Sequence, residues 1–307
     1  MSKKKKVLIA IAVLIAVIIV ISAVGRYNKN QLLSEPFTYF YAAGDPEDDQ
    51  PPVTALYIYG PNDTQPRKIN IDGYKKLGAP YLIKKDDYFC GAERISDGAY
   101  CLLHVQNNSV VWTEEIAVMP EYMAVTNDLK VYFTAKNVLY CVDPTKEETE
   151  VISEGIEDFI TGNLYTDGER ILYPKKDMQT SYEKIFSWYL YDPKTSEERF
   201  IIDNVDCAGF TKDGDIVVTF PRKFGFRFLK KINVDTFEEE FFIPFMLFHH
   251  PVLLDDEYVF YVSDWFDDVW FDYYIFSAKR YASVSLYHLC ELSPTYLSTI
   301  YRIFIYR

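Results

Sequence analysis

The densest run of chemistry-bearing side chains is Ser263-Asp264-Trp265-Phe266-Asp267-Asp268-Val269-Trp270-Phe271-Asp272-Tyr273-Tyr274-Ile275-Phe276, where aromatic rings alternate with carboxylates. Flat rings flanked by carboxylates stack on sugar faces, accept hydroxyl hydrogen bonds and anchor protein interfaces. Asp264, Trp265, Asp267, Asp268, Trp270, Asp272 and Tyr273 are therefore the candidate ligand-binding residues. Two readings compete with this one. Part of the run supplies two strands of a sheet with its rings in the core, or two of its carboxylates form a catalytic pair.

Elsewhere the search for chemistry is mostly empty. The sequence has no Gly-x-Ser-x-Gly elbow, no phosphate-binding glycine loop, no dinucleotide fingerprint and no His-Glu-x-x-His pair. Its histidines are His104, His249, His250 and His288. Adjacent residues of a strand point to opposite faces, so His249 and His250 would share a metal only with backbone distortion. Asp45-Pro46-Glu47-Asp48-Asp49 lacks the glycine and terminal glutamate of a helix-loop-helix calcium loop and reads as a solvated loop. Asp143, Asp192 and Asp235 recur at one place in a repeat and read as turn residues accepting local backbone hydrogen bonds. No catalytic residue, metal or cofactor is expected.

The elements that carry these residues begin with an apolar segment. Val7 to Val24 contains no charge and no proline, and Lys3, Lys4, Lys5 and Lys6 precede it. Eighteen such residues just suffice for a helix crossing the hydrocarbon core. The basic cluster stays cytoplasmic and sends the following body outward. A cleaved signal peptide has a shorter apolar region ending in a small-x-small site, and Ala23-Val24-Gly25 is a poor match. The expected organisation is a basic tail over residues 1–6, a signal-anchor helix over 7–25, a polar stalk over 26–36 and an extracytoplasmic body over 37–307. Val7, Leu8, Leu14, Ile18 and Val24 face the bilayer lipid.

The chain has 32 basic and 45 acidic residues, and no acid in its first thirty positions, so the body alone carries a net charge of −19. Such a body repels phosphate backbones, which excludes nucleic-acid binding. Five cysteines (Cys90, Cys101, Cys141, Cys207 and Cys290), widely spaced and without a CxxC pair, read as isolated buried thiols. Cys90 and Cys101 would meet only if a hairpin turning at Ser96-Asp97-Gly98 had the right register.

The body repeats. Tyr88-Phe89-Cys90, Val131–Thr134, Ile171–Tyr173, Ile216–Phe220 and Tyr258–Tyr261 each follow an acidic turn, and Asp87, Asp128, Asp167, Asp213 and Asp256 are spaced by 41, 39, 46 and 43 residues. Later in each unit a strand ends in a tight turn, at Asp143-Pro144-Thr145, Asp192-Pro193-Lys194-Thr195 and Val234-Asp235-Thr236, and another apolar run follows. Short runs of β-branched and aromatic residues between such turns are strands. Four strands recurring every 40–45 residues are the signature of a β-propeller blade. The expected fold is all-β: a propeller of six blades, seven being the alternative count, preceded by one transmembrane helix. Ring closure is expected from the C-terminal run Leu297–Tyr306 lying against residues near Phe37 to Tyr41.

The string Thr166-Asp167-Gly168-Glu169-Arg170-Ile171-Leu172-Tyr173, followed by Tyr189-Leu190-Tyr191-Asp192-Pro193-Lys194-Thr195-Ser196-Glu197-Glu198, resembles a repeat unit of TolB-type six-bladed propellers, whose relatives include the propellers of prolyl oligopeptidases and membrane-anchored bacterial proteins. Two other units depart from the pattern, with Leu129 after Asp128 and Glu257 after Asp256. The resemblance implies fold and transfers no catalytic residue, because the matched positions form turns. The function expected is a membrane-anchored module binding a protein or cell-envelope glycan. The alternative is an envelope glycosidase or lyase using carboxylates at the propeller mouth.

Overall fold

A computed structural model describes residues 3–33, 38–44, 54–59, 67–84, 86–146, 148–156, 164–176, 186–205, 207–211, 213–219, 226–246, 249–253, 258–264, 271–277, 282–285 and 300–306. It opens with one helix, α1 (Lys3–Leu33), which is long and apolar enough over Val13–Gln31 to cross a membrane. All the other regular elements described are strands. The helix continues through residues 26–33, which the sequence assigns to a stalk. Between Gly25 and Pro36 nothing breaks a helix, and proline disfavours helical backbone in the residue before it.

The strands form six antiparallel sheets of four among the described residues. Sheet 1 contains β1 (Thr38–Gly44), β2 (Thr54–Tyr59) and β3 (Arg67–Lys68). Sheet 2 contains β4 (Tyr74–Lys84), β5 (Asp87–Arg94), β6 (Tyr100–Gln106) and β7 (Ser109–Ile116). Sheet 3 contains β8 (Tyr122–Val125), β9 (Val131–Ala135), β10 (Val138–Asp143) and β11 (Glu148–Glu154). Sheet 4 contains β12 (Tyr165–Thr166), β13 (Ile171–Lys176), β14 (Phe186–Asp192) and β15 (Glu197–Val205). Sheet 5 contains β16 (Cys207–Phe210), β17 (Ile216–Thr219), β18 (Phe226–Ile232) and β19 (Glu239–Met246). Sheet 6 contains β20 (His249–Leu253), β21 (Tyr258–Asp264), β22 (Phe271–Ser277) and β23 (Ala282–Ser285). The last strand, β24 (Ile300–Tyr306), completes sheet 1 by pairing antiparallel with β1, Thr38 opposite Tyr306 and Phe40 opposite Phe304. The C-terminal run thus lies where the sequence expects it.

The acidic-turn runs of the sequence are the second strands of sheets 2 to 6, and the acidic turns are the connections from first to second strand. Sheet 6 begins at His249, nine residues before the Tyr258 start read from the repeat, because β20 supplies its first strand.

Both faces of sheets 2, 3 and 4 are covered, which explains why strand-period alternation is invisible there as a pattern of polarity. In β5, Tyr88, Cys90 and Ala92 pack with Leu56 and Ile58 of sheet 1, while Phe89 packs with Met123 and Phe133 of sheet 3. In β9, Phe133 faces sheet 2 and Tyr132 faces Ile171 and Tyr173 of sheet 4. In β13, Leu172 faces Val218 and Ile216 of sheet 5. Successive residues of a strand point to opposite faces, so each strand feeds two cores. The first strands of neighbouring sheets also adjoin, β4 with β8, β8 with β12, β12 with β16 and β16 with β20. The fourth strands carry the acids Glu148, Glu150, Glu154, Glu197, Glu239 and Glu240, charges that discourage edge-to-edge pairing.

Cys90, Cys101 and Cys141 are isolated buried thiols, as the sequence reads them, and one turn assignment needs correcting. The hairpin between β5 and β6 sets Cys90 opposite Leu103 and Cys101 opposite Ala92, so the two thiols do not face each other, and both are free and buried. In the tight turns, Asp143 accepts from the Thr145 amide at 2.9 Å and Asp192 from the Lys194 amide at 2.8 Å, but in sheet 5 the acceptor is Asn233, not Asp235. Asn233 Oδ1 takes the amides of Asp235 and Thr236 at 3.1 and 2.9 Å. Asparagine offers the same local acceptor as aspartate, and Asn233, whose backbone amide donates to the Glu238 carbonyl across a four-residue turn, stands where Asp143 and Asp192 stand, so Asp235 lies two residues beyond that position.

Candidate functional site

Where the first strands adjoin, their connections to the second strands of sheets 3, 4 and 5 converge with the end of β4 around a cavity of about 710 Å³. The turns of sheets 3 and 5 share one geometry. Val125 pairs with Val131 and Phe210 with Ile216, leaving five residues between. The Thr126 amide donates to the Lys130 carbonyl at 3.1 Å and the Thr211 amide to the Asp215 carbonyl at 2.7 Å. In each, the fourth residue is left-handed: Gly214 at φ +84° and Leu129 at φ +65°. Glycine enters that region freely, whereas a leucine there is strained by about 1 kcal/mol or more.

The turn of sheet 4 is one residue shorter and is built on Asp167. Its carboxylate accepts the amides of Glu169 and Arg170 at 2.9 and 2.7 Å and pairs with the Arg170 guanidinium at 2.6 Å. Arg170 Nη2 also donates to the Gly214 carbonyl at 3.0 Å, and the Asn127 amide donates to the Gly168 carbonyl at 2.7 Å. The three turns are thereby tied into one rim. Gly168 is held at φ +94°, and a Cβ there would come within 2.5 Å of the Asn127 side chain.

The lining is mixed. Three carboxylates (Asp167, Glu169 and Asp213) face one guanidinium, Arg170. Asp167 is committed to its turn and Glu169 to Lys194 at 2.6 Å. Asp213 is exposed and acts electrostatically on Lys231, whose own ion pair is with Asp215 at 2.9 Å. Ile83 and Leu129 line the cavity with 40% and 43% of their surfaces open. Phe210 lies 6.0 Å beneath the Arg170 guanidinium, and burial pushes the Tyr81 hydroxyl up to about 12 against a lowering backbone bond to Val125. Among the described residues, Asp167 and Glu169 are both engaged.

A second polar cluster lies between sheets 3 and 4. Glu198 accepts from Ser153 and Lys175, each at 2.6 Å, and from the Tyr173 hydroxyl. Burial pushes its carboxyl up, and these donors together outweigh burial and hold it below the ordinary glutamate value. In sheet 2, Asp87 meets His104 at 2.7 Å, and the His104 ring stacks on Phe89 at 4.1 Å. Among the described residues no cluster of three His, Cys, Asp or Glu could hold a metal ion.

The aromatic-acidic run is placed by its flanks. Asp264 ends β21 opposite Phe271, and Asp272 and Tyr273 lie in β22 opposite Ser263 and Val262. Trp265, Asp267, Asp268 and Trp270 lie outside the described residues, as does the Asp45–Asp49 loop. Of the described residues of the run, Asp264, Asp272 and Tyr273 are not among those lining the cavity. Sequence reasoning passed over Asp167, Arg170 and Asp213 as turn residues. The available signal was their recurrence, since turns repeated in every unit must meet once the units stack.

No protein-family model matches the sequence, and no curated protein matches it. Solved structures do. TolB from Acinetobacter baumannii is similar over 81% of this chain at 14% identity and TM-score 0.53, and this chain spans 63% of that protein's length. A putative TolB from Agrobacterium tumefaciens is similar over 89% of this chain and 98% of its own, at 12% identity and TM-score 0.47. An oligogalacturonate lyase from Vibrio parahaemolyticus is similar over 80% and 84%, at 12% identity and TM-score 0.41. The fold is that of TolB-type β-propellers.

Proposed function

We propose that this chain is a membrane-anchored extracytoplasmic propeller that binds a protein or cell-envelope ligand. In this reading the six sheets are six blades, and the pairing of β24 with β1 closes the ring. The helix over residues 7–25 anchors the body, and Lys3–Lys6 keep the N-terminus in the cytoplasm. The observation that carries the proposal is the cavity of about 710 Å³, with exposed Ile83, Leu129 and Asp213 on one rim. Its size and its mixed lining, with exposed aliphatic side chains among polar groups, suit a ligand site.

A photo-crosslinking amino acid at Ile83 tests this in intact cells. The expected outcome is a discrete light-dependent adduct that is missing when the same amino acid replaces Val111, an exposed residue of β7. No adduct at Ile83, together with turnover of an envelope polysaccharide by the purified chain, would overturn it. Protease added outside intact cells should digest the body and leave a small Lys-rich fragment; a fully protected chain refutes the orientation.

A further inference from the structure

We infer that the cavity recognises a peptide segment in which an aliphatic side chain stands beside a basic one, an inference that rests on the cavity being the binding site. Two independent features of the rim specify the two halves of that ligand. The first is Leu129. Its turn superposes in hydrogen bonding on the turn that carries Gly214, and the residue at this position is left-handed in both. Glycine satisfies the backbone there, so leucine gains nothing for the turn itself. Its side chain is 43% open and lines the cavity with Ile83, 40% open. Two uncovered aliphatic side chains in one lining, one of them on a strained backbone, offer apolar surface that a partner side chain would cover.

The second feature is charge. In the lining Asp167 is paired with Arg170 and Glu169 with Lys194, which leaves the exposed Asp213, whose electrostatic neighbour Lys231 is itself ion-paired with Asp215. The body around it carries a net −19. A cationic side chain is therefore drawn to this mouth and can pair with Asp213, while an anionic ligand is repelled. A neutral sugar would offer Asp213 hydroxyl donors but no opposite charge, and nothing apolar to cover Leu129 and Ile83.

The probe is a fluorescein-labelled octapeptide alternating leucine and lysine, measured by anisotropy against the full chain in detergent micelles. Controls replace its lysines by glutamate or its leucines by serine, and a neutral glucan oligosaccharide is offered as competitor. The leucine-lysine peptide should bind, both peptide controls should bind about tenfold or more weakly, and the glucan should not compete. Leu129→Gly should weaken binding about tenfold while the melting temperature stays level or rises, since glycine relieves the left-handed strain. Asp213→Asn should weaken binding and flatten its dependence on salt. A merely structural leucine predicts the reverse for Leu129→Gly: lower melting temperature and unchanged affinity. The inference is overturned by unchanged affinity in both variants, by equal binding of the glutamate control, or by binding of the glucan in place of the peptide. Failure of the peptide with a persistent crosslink at Ile83 rejects this ligand chemistry and leaves the binding site standing. Loss of both rejects the site.

Discussion

The seam between sheets 2 and 3 and the seam between sheets 3 and 4 face the same packing problem with different chemistry. Sheets 2 and 3 meet through Phe89, Leu102, Met123, Val131 and Phe133, and their backbones come close enough for Gly91 to touch Pro120. Sheets 3 and 4 meet through Tyr132, Cys141, Ile171 and Tyr173, with Glu198 gathering three donors at their margin and a cavity of about 200 Å³ beside Cys141. The apolar seam depends chiefly on volume, and the titratable Asp87–His104 pair borders it where His104 stacks on Phe89. A seam with a polar margin depends on every donor keeping its acceptor, and it titrates.

The largest effect should come from emptying the apolar seam. Phe133 is 1% exposed, and Phe133→Ala should cost about 3–5 kcal/mol, read as a lower midpoint in urea with unchanged slope. Overfilling the same seam should cost less. A Cβ on Gly91 would sit 2.8 Å from Pro120 Cδ, and a proline ring cannot swing aside, so Gly91→Ala should cost about 1–3 kcal/mol. A wild-type melt for Gly91→Ala would mean that the two sheets part easily, contrary to the contact.

The polar margin should respond to one atom. Glu198→Gln keeps the shape but weakens the acceptor for Tyr173, Ser153 and Lys175, a loss of about 1–3 kcal/mol at neutral pH. The sign of its pH dependence is fixed. The Glu198 carboxyl is held below the ordinary value of 4.5, so its contribution is complete above that value and disappears as pH falls through the folded one. The stability gap between wild type and Glu198→Gln should therefore close in acid, whereas the gap for Phe133→Ala should not. Melting both variants from pH 7 to pH 3 separates the seams, and a constant gap for Glu198→Gln would remove the hub from the account.

The two seams also show what a sequence can disclose. The second strands and their acidic turns were legible because propensity and turn chemistry act within ten residues. The all-β propeller class followed from their spacing, and the TolB-type repeat from the string at Thr166–Tyr173. What stayed hidden depends on juxtaposition. Ser153 and Glu198 are 45 residues apart, and no local pattern pairs them. Asp167, Arg170 and Asp213 read as turn residues and are turn residues. They become a rim only because the first strands adjoin. Leu129 hid for another reason, since a leucine gives no hint of left-handed backbone until the hydrogen bonds of its turn are compared with those around Gly214.

The smallest effect concerns cysteines, and it tests whether the seams open separately. Burial pushes the Cys90 thiol up to about 12, and it pushes Cys141 up to about 11, with a bond from Tyr132 acting the other way. The thiolate is the reactive form, and one unit is about a tenfold change in its population at a given pH. Cys141 also borders the small cavity between sheets 3 and 4, while Cys90 is sealed between sheets 1 and 2. Alkylation at pH 8, followed peptide by peptide by mass spectrometry, should therefore label Cys141 about tenfold faster than Cys90, and both far more slowly than in the unfolded chain. Glu198→Gln should raise the rate at Cys141 further, because loosening the polar margin lets the cavity breathe, and should leave Cys90 unchanged. Equal acceleration at both cysteines would show that the variant promotes global unfolding and that the seams are one cooperative unit. Acceleration confined to Cys141 means that the polar seam opens by itself while the apolar seams stay shut.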